Sequence, residues 1–460
     1  MYNTTRFFNI DDREYALDYH KHFFCLLDEE TKAALEQLLA GEKLSGNTEI
    51  EHKLNTLSKS NYFYSKLQNL SLPSYRYDTF NISFTPVYDC NFGCKYCFAD
   101  YEGHKEPFTK EKIDELLEYI YIKKYSNYNK YKFDFVGGGE PLLNFDILHY
   151  FLTCVREFDQ QLNKSTTVLI VTNGTLLTED KIRILDKYDV FLGISVDGNK
   201  ETHNRYRVYK NGKNTYEDVV AGINLLHASD VSEKLKNPWA MSVITKDTSS
   251  LVNLMENCIQ LGFKRMQMQI VRATADTAYG FSVADLPKLK EHYKELFTHI
   301  LERIKKGDLS RLKMIANDND SFGKFFGRLL WCVPVFYRCF AGKNKISVDA
   351  NGEIYPCDSF NGKKEFLLGS IKNEKDVNHS VFEQAHVCNR TPCNKCWARY
   401  LCGGDCYYAS LQTHGDINPP TSITCEMNRF FIEHAIDLLV KIQEIDPAHI
   451  NYLAKLLRYR

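Results

Sequence analysis

Six strand-like stretches alternate with six helix-like stretches through the middle of this 460-residue chain, and that alternation constrains the fold most. The strand-like runs lie near 82–87, 131–136, 166–172, 189–194, 238–244 and 266–271. Helical patterns follow near 108–125, 144–160, 178–187, 215–229, 248–261 and 284–306. Repeated βα units predict an α/β fold, a parallel sheet wrapped by helices. In such a sheet the turns after the strands carry the chemistry, at the strands' C-terminal ends. No low-complexity linker and no sequence repeat interrupts the pattern.

The turns after these strands are where the unusual residues fall. Cys90, Cys94 and Cys97 form a C-x3-C-x2-C knot directly after the run Asn81 to Val87. Three thiolates so close in sequence can face one point, and soft sulfur selects iron–sulfur clusters, zinc or copper. A cubic 4Fe–4S cluster held by three cysteines keeps one iron without a protein ligand, where a substrate amine and carboxylate can chelate. Zinc would want a fourth protein ligand for a closed structural site. The second strand runs into Gly137-Gly138-Gly139-Glu140-Pro141. Glycines let backbone approach a ligand closely, and the glutamate can accept from an ammonium group; a plain βα turn is the alternative. Asn173 closes the third strand, and Ser195 with Asp197 closes the fourth, where Asp197-Gly198 can also be simple turn chemistry. His203-Asn204-Arg205-Tyr206-Arg207 follows, either a ligand-binding segment or a solvated polar loop.

Length and charge frame these motifs. A chain of 460 residues holds two to three domains and a barrel-sized core. Basic and acidic residues balance, 58 against 59 for a net charge of −1, so bulk capture of nucleic acid is not expected. No apolar run is long enough for a membrane span and the N-terminus lacks a signal-peptide core, so a cytoplasmic protein is expected. In that reducing compartment 15 cysteines point to metal rather than disulfides.

With Tyr96 before its last cysteine, the knot resembles that of the radical S-adenosylmethionine (SAM) superfamily. The Gly138-Gly139-Glu140-Pro141 run is similar to the superfamily's G-G-E-P motif, which grips the SAM amino group. His203 to Arg207 is similar to the H-D-x-x-R of SAM-binding relatives, with Asn204 in place of Asp. The resemblance implies a partial (β/α)6 TIM-type barrel over residues 76–310. It also implies SAM contacts from Tyr96, Gly138, Gly139, Glu140, Asn173, Ser195 and Arg207, with Arg207 forking onto the SAM carboxylate.

Eight further cysteines follow: Cys332, Cys339, Cys357, Cys393, Cys396, Cys402, Cys406 and Cys425. They make two four-thiolate sets, enough for two clusters or two zincs, though zinc ribbons usually show two C-x2-C pairs and only one is present here. The spacing resembles the SPASM domain, the twin-cluster extension of radical SAM barrels, expected over 311–430. By that family's interleaved pattern Cys332, Cys339, Cys357 and Cys406 bind one auxiliary cluster. Cys393, Cys396, Cys402 and Cys425 bind the other. If Cys332 lies outside the first set, that cluster keeps an open iron for substrate. Cys25, Cys154 and Cys258 read as small buried hydrophobes, and Cys388 has no assignment. Asp358, directly after Cys357, occupies the position of a general base in sulfatase-maturing relatives; it is read either as that base or as a hydrogen-bond partner of the cluster loop.

Residues 1–75 differ in texture, with three short strands near 6–10, 14–18 and 21–26, then helices near 32–39 and 49–58. They are expected to form a winged-helix-like domain, either a precursor-recognition element that takes a leader peptide as an added strand or a cap on the barrel. A C-terminal helix is expected over 431–460. Three 4Fe–4S clusters, SAM, a leader-bearing precursor peptide and a flavodoxin- or ferredoxin-type electron donor complete what the resemblance implies. The expected function is oxidative maturation of a ribosomal peptide, forming a thioether or carbon–carbon crosslink. One alternative is an anaerobic sulfatase-maturating enzyme making formylglycine; another is a non-catalytic iron–sulfur or zinc protein.

Overall fold

The computed structural model describes residues 2–457 apart from 67, 76, 86, 100–105 and 374–377. Pro86 at the end of the first expected strand, and the last three residues of the expected C-terminal helix, lie outside the described residues. The chain divides into two compact units: Tyr75–Ser282 with Cys339–Gln384, and Met1–Ser74 with Val283–Arg338 and Ala385–Arg460.

The first unit is built on six parallel strands, Thr79–Phe84, Lys130–Phe135, Ser165–Thr172, Phe191–Ser195, Trp239–Ile244 and Arg265–Ile270. They lie side by side in sequence order, each within a few residues of its expected place. Past exposed Ser165, the strand Ser165–Thr172 alternates buried and half-buried side chains, so one face packs more closely than the other. The connecting helices Lys110–Glu118, Glu179–Lys187 and Leu251–Gln260 start at Thr109, Thr178 and Ser250, whose hydroxyls accept the backbone N–H three residues on. Fold class is thus α/β with a parallel-dominated central sheet.

The sheet continues past the six βα strands. Lys345–Val348 pairs in parallel with Thr79–Phe84, register Lys345 on Asn81 to Val348 on Phe84. Glu353–Tyr355 and Gly369–Ser370 then add antiparallel strands. These residues come from the stretch expected as an appended domain. Their physical role is to cover an edge strand that would otherwise present unpaired N–H and C=O groups.

The other unit opens with a three-stranded antiparallel sheet, Thr5–Ile10, Arg13–Asp18 and Phe23–Leu27, in that spatial order. Helices Glu29–Leu39 and Glu49–Lys59 pack on it around Ala16, Leu35, Leu54 and Phe63. Asp28 caps the first helix, and Thr48 with Glu51 forms a capping box on the second. The C-terminal part corrects one expectation: in place of one helix over 431–460 there are two, Ser422–Ile445 and Pro447–Leu456. Pro447 has no N–H to continue the first helix, and Asp446 breaks to an extended conformation and caps the second. Among the described residues no helix is long and apolar enough to cross a membrane.

Candidate active site and metal centres

The C-terminal ends of the first four βα strands bring the sequence motifs together. The cysteine loop after the first strand runs antiparallel to residues 206–210: Gly93 N donates to Val208 O (2.7 Å), Lys95 N to Tyr206 O (3.0 Å), and Phe92 bridges to Tyr209. That zipper holds the cysteines close enough that Cys97 raises the proton affinity of Cys90, and Cys97 and Cys90 raise that of Cys94. Burial is the larger cause, pushing Cys90 up to about 11 and Cys94 to about 12. Cys97 is exposed, on the open side of the loop.

The glycine run packs against the segment that joins the first strand to this loop. Gly139 N donates to Val87 O (3.1 Å) and Glu140 N to Asp89 O (2.9 Å). A Cβ on Gly139 would lie 2.0 Å from the Asp89 carbonyl, and one on Gly138, at φ +96°, would lie 2.1 Å from Thr85. Only glycine fits that approach. Glu140 is buried and gives both oxygens to its neighbours. Oε1 accepts from Thr172 Oγ1 (2.6 Å) and Leu142 N (3.1 Å), and Oε2 from Asn173 N (2.7 Å). Burial raises its proton affinity against those three donors. It therefore ties the second strand's turn to the third strand's end, and Asn173 continues the link through Nδ2 to Asn91 Oδ1 (2.7 Å), beside Cys90.

Arg207 reaches the same region in an unexpected pairing. Its Nε and Nη2 donate to the two carboxylate oxygens of Asp197 (2.9 and 3.2 Å), both residues buried. Although burial opposes the charge, Asp197 holds the guanidinium protonated, and Arg207 also lies over the Tyr96 ring at 5.3 Å. Tyr96 donates its hydroxyl to Asp197 as well. The fork expected to meet a ligand carboxylate is thus occupied by a protein carboxylate, with Nη1 outside the pair. Asp197, read from sequence as turn chemistry, also takes Val243 N (2.9 Å) and is the hub of the cluster. Asn204 accepts from Thr215 N and Tyr216 N (3.1 and 3.0 Å), at the start of helix Tyr216–Ala228. Ser195 ends its strand opposite Met241.

Asp358 arrives from the added strands. A Cβ on Gly137 would sit 2.2 Å from Asp358 Oδ2, so the carboxylate lies directly on the glycine turn. Lys345 nearby stays protonated despite burial, chiefly through Asp134 and then Asp358.

The other unit gathers Cys393, Cys396, Cys402 and Cys425. Cys393 and Cys425 are pushed up to about 12, by burial first and then by the neighbouring thiols, and Cys396 is raised for the same reasons. Arg390, fully buried, ties the surrounding loop through carbonyls of Asp405, Ile417 and Asn418. Of the second set, Cys332 and Cys406 belong to this unit and Cys339 and Cys357 to the unit built on the parallel sheet. No cysteine is in a disulfide.

These sets offer sulfur donors only, three on one loop and four in the other unit, which suits the thiolate ligation of iron–sulfur clusters.

Residues 84–255 match the radical SAM superfamily. The cysteine-type anaerobic sulfatase-maturating enzyme of Clostridium novyi is 25% identical over 395 residues, 81% of this chain and 96% of that protein. The serine-type enzyme of Bacteroides thetaiotaomicron is 25% identical over 373 residues, 75% and 86% respectively. In fold, the chain is similar to native anSMEcpe with bound AdoMet and Cp18Cys peptide, at 20% identity and TM-score 0.63, covering 80% of this chain and 99% of that one. Residues 84–255 thus form a radical SAM domain, a fold that binds a 4Fe–4S cluster and SAM, and the chain is an enzyme. A non-catalytic metal protein is thereby set aside.

Proposed function

We propose that this enzyme oxidises a side chain within a peptide, with Asp358 as the base that takes the substrate proton. A 4Fe–4S cluster on Cys90, Cys94 and Cys97, with SAM bound, would supply the radical chemistry for removing a substrate hydrogen. The chain's own residues orient and shield that chemistry. Cys90, Cys94 and Cys97 hold the cluster. The Gly138–Gly139 backbone offers close approach to the SAM amino acid moiety, and Glu140, spent on Thr172, Leu142 and Asn173, fixes the turn. The observation that supports the proposal is the Asp358 carboxylate on Gly137, an acceptor set against the glycine turn proposed to bind SAM. Two auxiliary clusters, on Cys332, Cys339, Cys357, Cys406 and on Cys393, Cys396, Cys402, Cys425, would bring the total to three. Asp358→Asn should keep deoxyadenosine formation and lose peptide product; full product formation by that variant removes Asp358 from the mechanism.

For the substrate we favour a leader-bearing precursor peptide that gains a crosslink. The Clostridium novyi match leaves about a fifth of this chain without a counterpart. Residues 1–74 carry a sheet whose Phe23–Leu27 edge has no strand on its outer side among the described residues. An extended leader would add there as a further strand. Formylglycine formation on a sulfatase is the second reading, favoured by those relatives themselves. Mass spectrometry after turnover with a sulfatase peptide bearing the target cysteine or serine separates the two: conversion to the aldehyde supports the second reading and defeats the first.

A further inference from the structure

Helix Ser422–Ile445 presents Cys425, Asn428 and Arg429 on one face, three and four residues apart. Asn428 Nδ2 donates to Cys402 Sγ at 3.2 Å. Its Oδ1 accepts from Lys324 Nζ at 3.4 Å. An ammonium has only donors, so Lys324 claims the amide oxygen and leaves the NH2 for sulfur. Lys324 is 3% exposed, on helix Lys324–Leu330, and no carboxylate lies within ion-pair distance of it among the described residues. Burial, with Arg338 and Arg328 nearby, pushes its proton affinity well below that of a free lysine, and the Cys402 sulfur and then Asp320 favour the charge. Arg328 Nη1 meanwhile donates to the carbonyls of Leu401 (2.6 Å) and Cys402 (3.1 Å). A buried cation so placed is costly without a facing anion. A cluster ligated by four thiolates is that anion, and it gains one further negative charge when reduced.

We infer that Asn428 and Lys324 are positioning residues that raise the reduction potential of the cluster on Cys393, Cys396, Cys402 and Cys425. A hydrogen bond to a ligand sulfur and a buried positive charge behind it both favour the reduced, more anionic state. The inference rests on the reading that these four cysteines hold a 4Fe–4S cluster.

The test is an EPR-monitored redox titration of reconstituted full-length protein in a Cys90→Ala, Cys94→Ala, Cys97→Ala background, which leaves the auxiliary clusters alone. The component lost on adding Cys393→Ala with Cys396→Ala is the one followed. Lys324→Met and Asn428→Leu should each shift its midpoint to lower potential, while Lys324→Arg restores it and the remaining cluster's midpoint stays put. Where Lys324→Met sheds iron, Asn428→Asp decides: same shape, a carboxylate in place of the donor, and the largest downward shift. An unchanged midpoint in loaded Asn428→Asp and Asn428→Leu overturns the inference. Absence in the parent protein of any signal that depends on Cys393 and Cys396 instead overturns the cluster assignment, and the inference falls with it.

Discussion

Asp197 and Arg207 show how one buried pair ties the cysteine loop's neighbours together. The fork is satisfied twice by the same carboxylate, and Tyr96 and Val243 N complete its lone pairs. Removing one partner leaves an uncompensated buried charge, so Asp197→Ala should cost about 3–5 kcal/mol in denaturant unfolding. A loss below about 1 kcal/mol, within the range of an exposed pair, would mean that water already reaches Arg207. The glycine turn makes a second residue-scale prediction. Gly139→Ala drives a methyl into the Asp89 and Val87 carbonyls, which cannot swing aside as a side chain end would. The loop bearing Cys90 must move. About a third of the bound iron and all SAM cleavage should be lost, as iron assay and deoxyadenosine chromatography would report. Wild-type iron and cleavage in that variant would show the approach to be loose. Neither effect is visible in sequence: Asp197-Gly198 reads as a turn until the fold brings Arg207 back across it.

At the scale of elements, the βα units were legible because the strands and helices are long enough to show their period and three of the helices open on a capping Thr or Ser. What escaped was short or contextual. Lys345–Val348 is only four residues, and its partner Thr79–Phe84 lies far away in sequence. The break at Asp446-Pro447 was visible as a proline yet lost in a long apolar stretch. Lys324, Asn428 and Asp197 carried no spacing signal, since their roles come from distant contacts. The N-terminal sheet is not a detachable appendage: Tyr15 donates to buried Asp437 (2.6 Å), and Arg6 pairs with Glu433 (3.2 Å) on helix Ser422–Ile445. Deleting residues 1–75 would strip that helix, so a milder change tests leader recognition. Leu26→Glu on the edge strand, where Leu26 is 37% exposed, should abolish binding of a leader peptide by fluorescence anisotropy and leave iron content unchanged. Undiminished affinity would move recognition off this edge.

The whole molecule stores an acid sensitivity and a metal count. Burial pushes His20, His22 and His434 down to about 4, all in the unit that holds Cys393, Cys396, Cys402 and Cys425. Above pH 6.5 each imidazole is neutral folded or unfolded and stability is unaffected. Below 6.5 the unfolded chain binds protons first, so stability falls from there and levels off below pH 4. His22, almost wholly buried, accounts for on the order of 3 kcal/mol of that loss. Denaturant midpoints across that window should fall, and His22→Phe should flatten the fall; a flat wild-type profile would contradict it. The central claim, three clusters with only the first serving SAM, is tested most directly by iron and sulfide analysis with Mössbauer spectroscopy of the anaerobically reconstituted enzyme. The account predicts about twelve irons per chain, falling to about eight with loss of SAM cleavage when Cys90, Cys94 and Cys97 become Ala. Stoichiometric zinc without iron, or an iron count that the triple variant leaves unchanged, would contradict it.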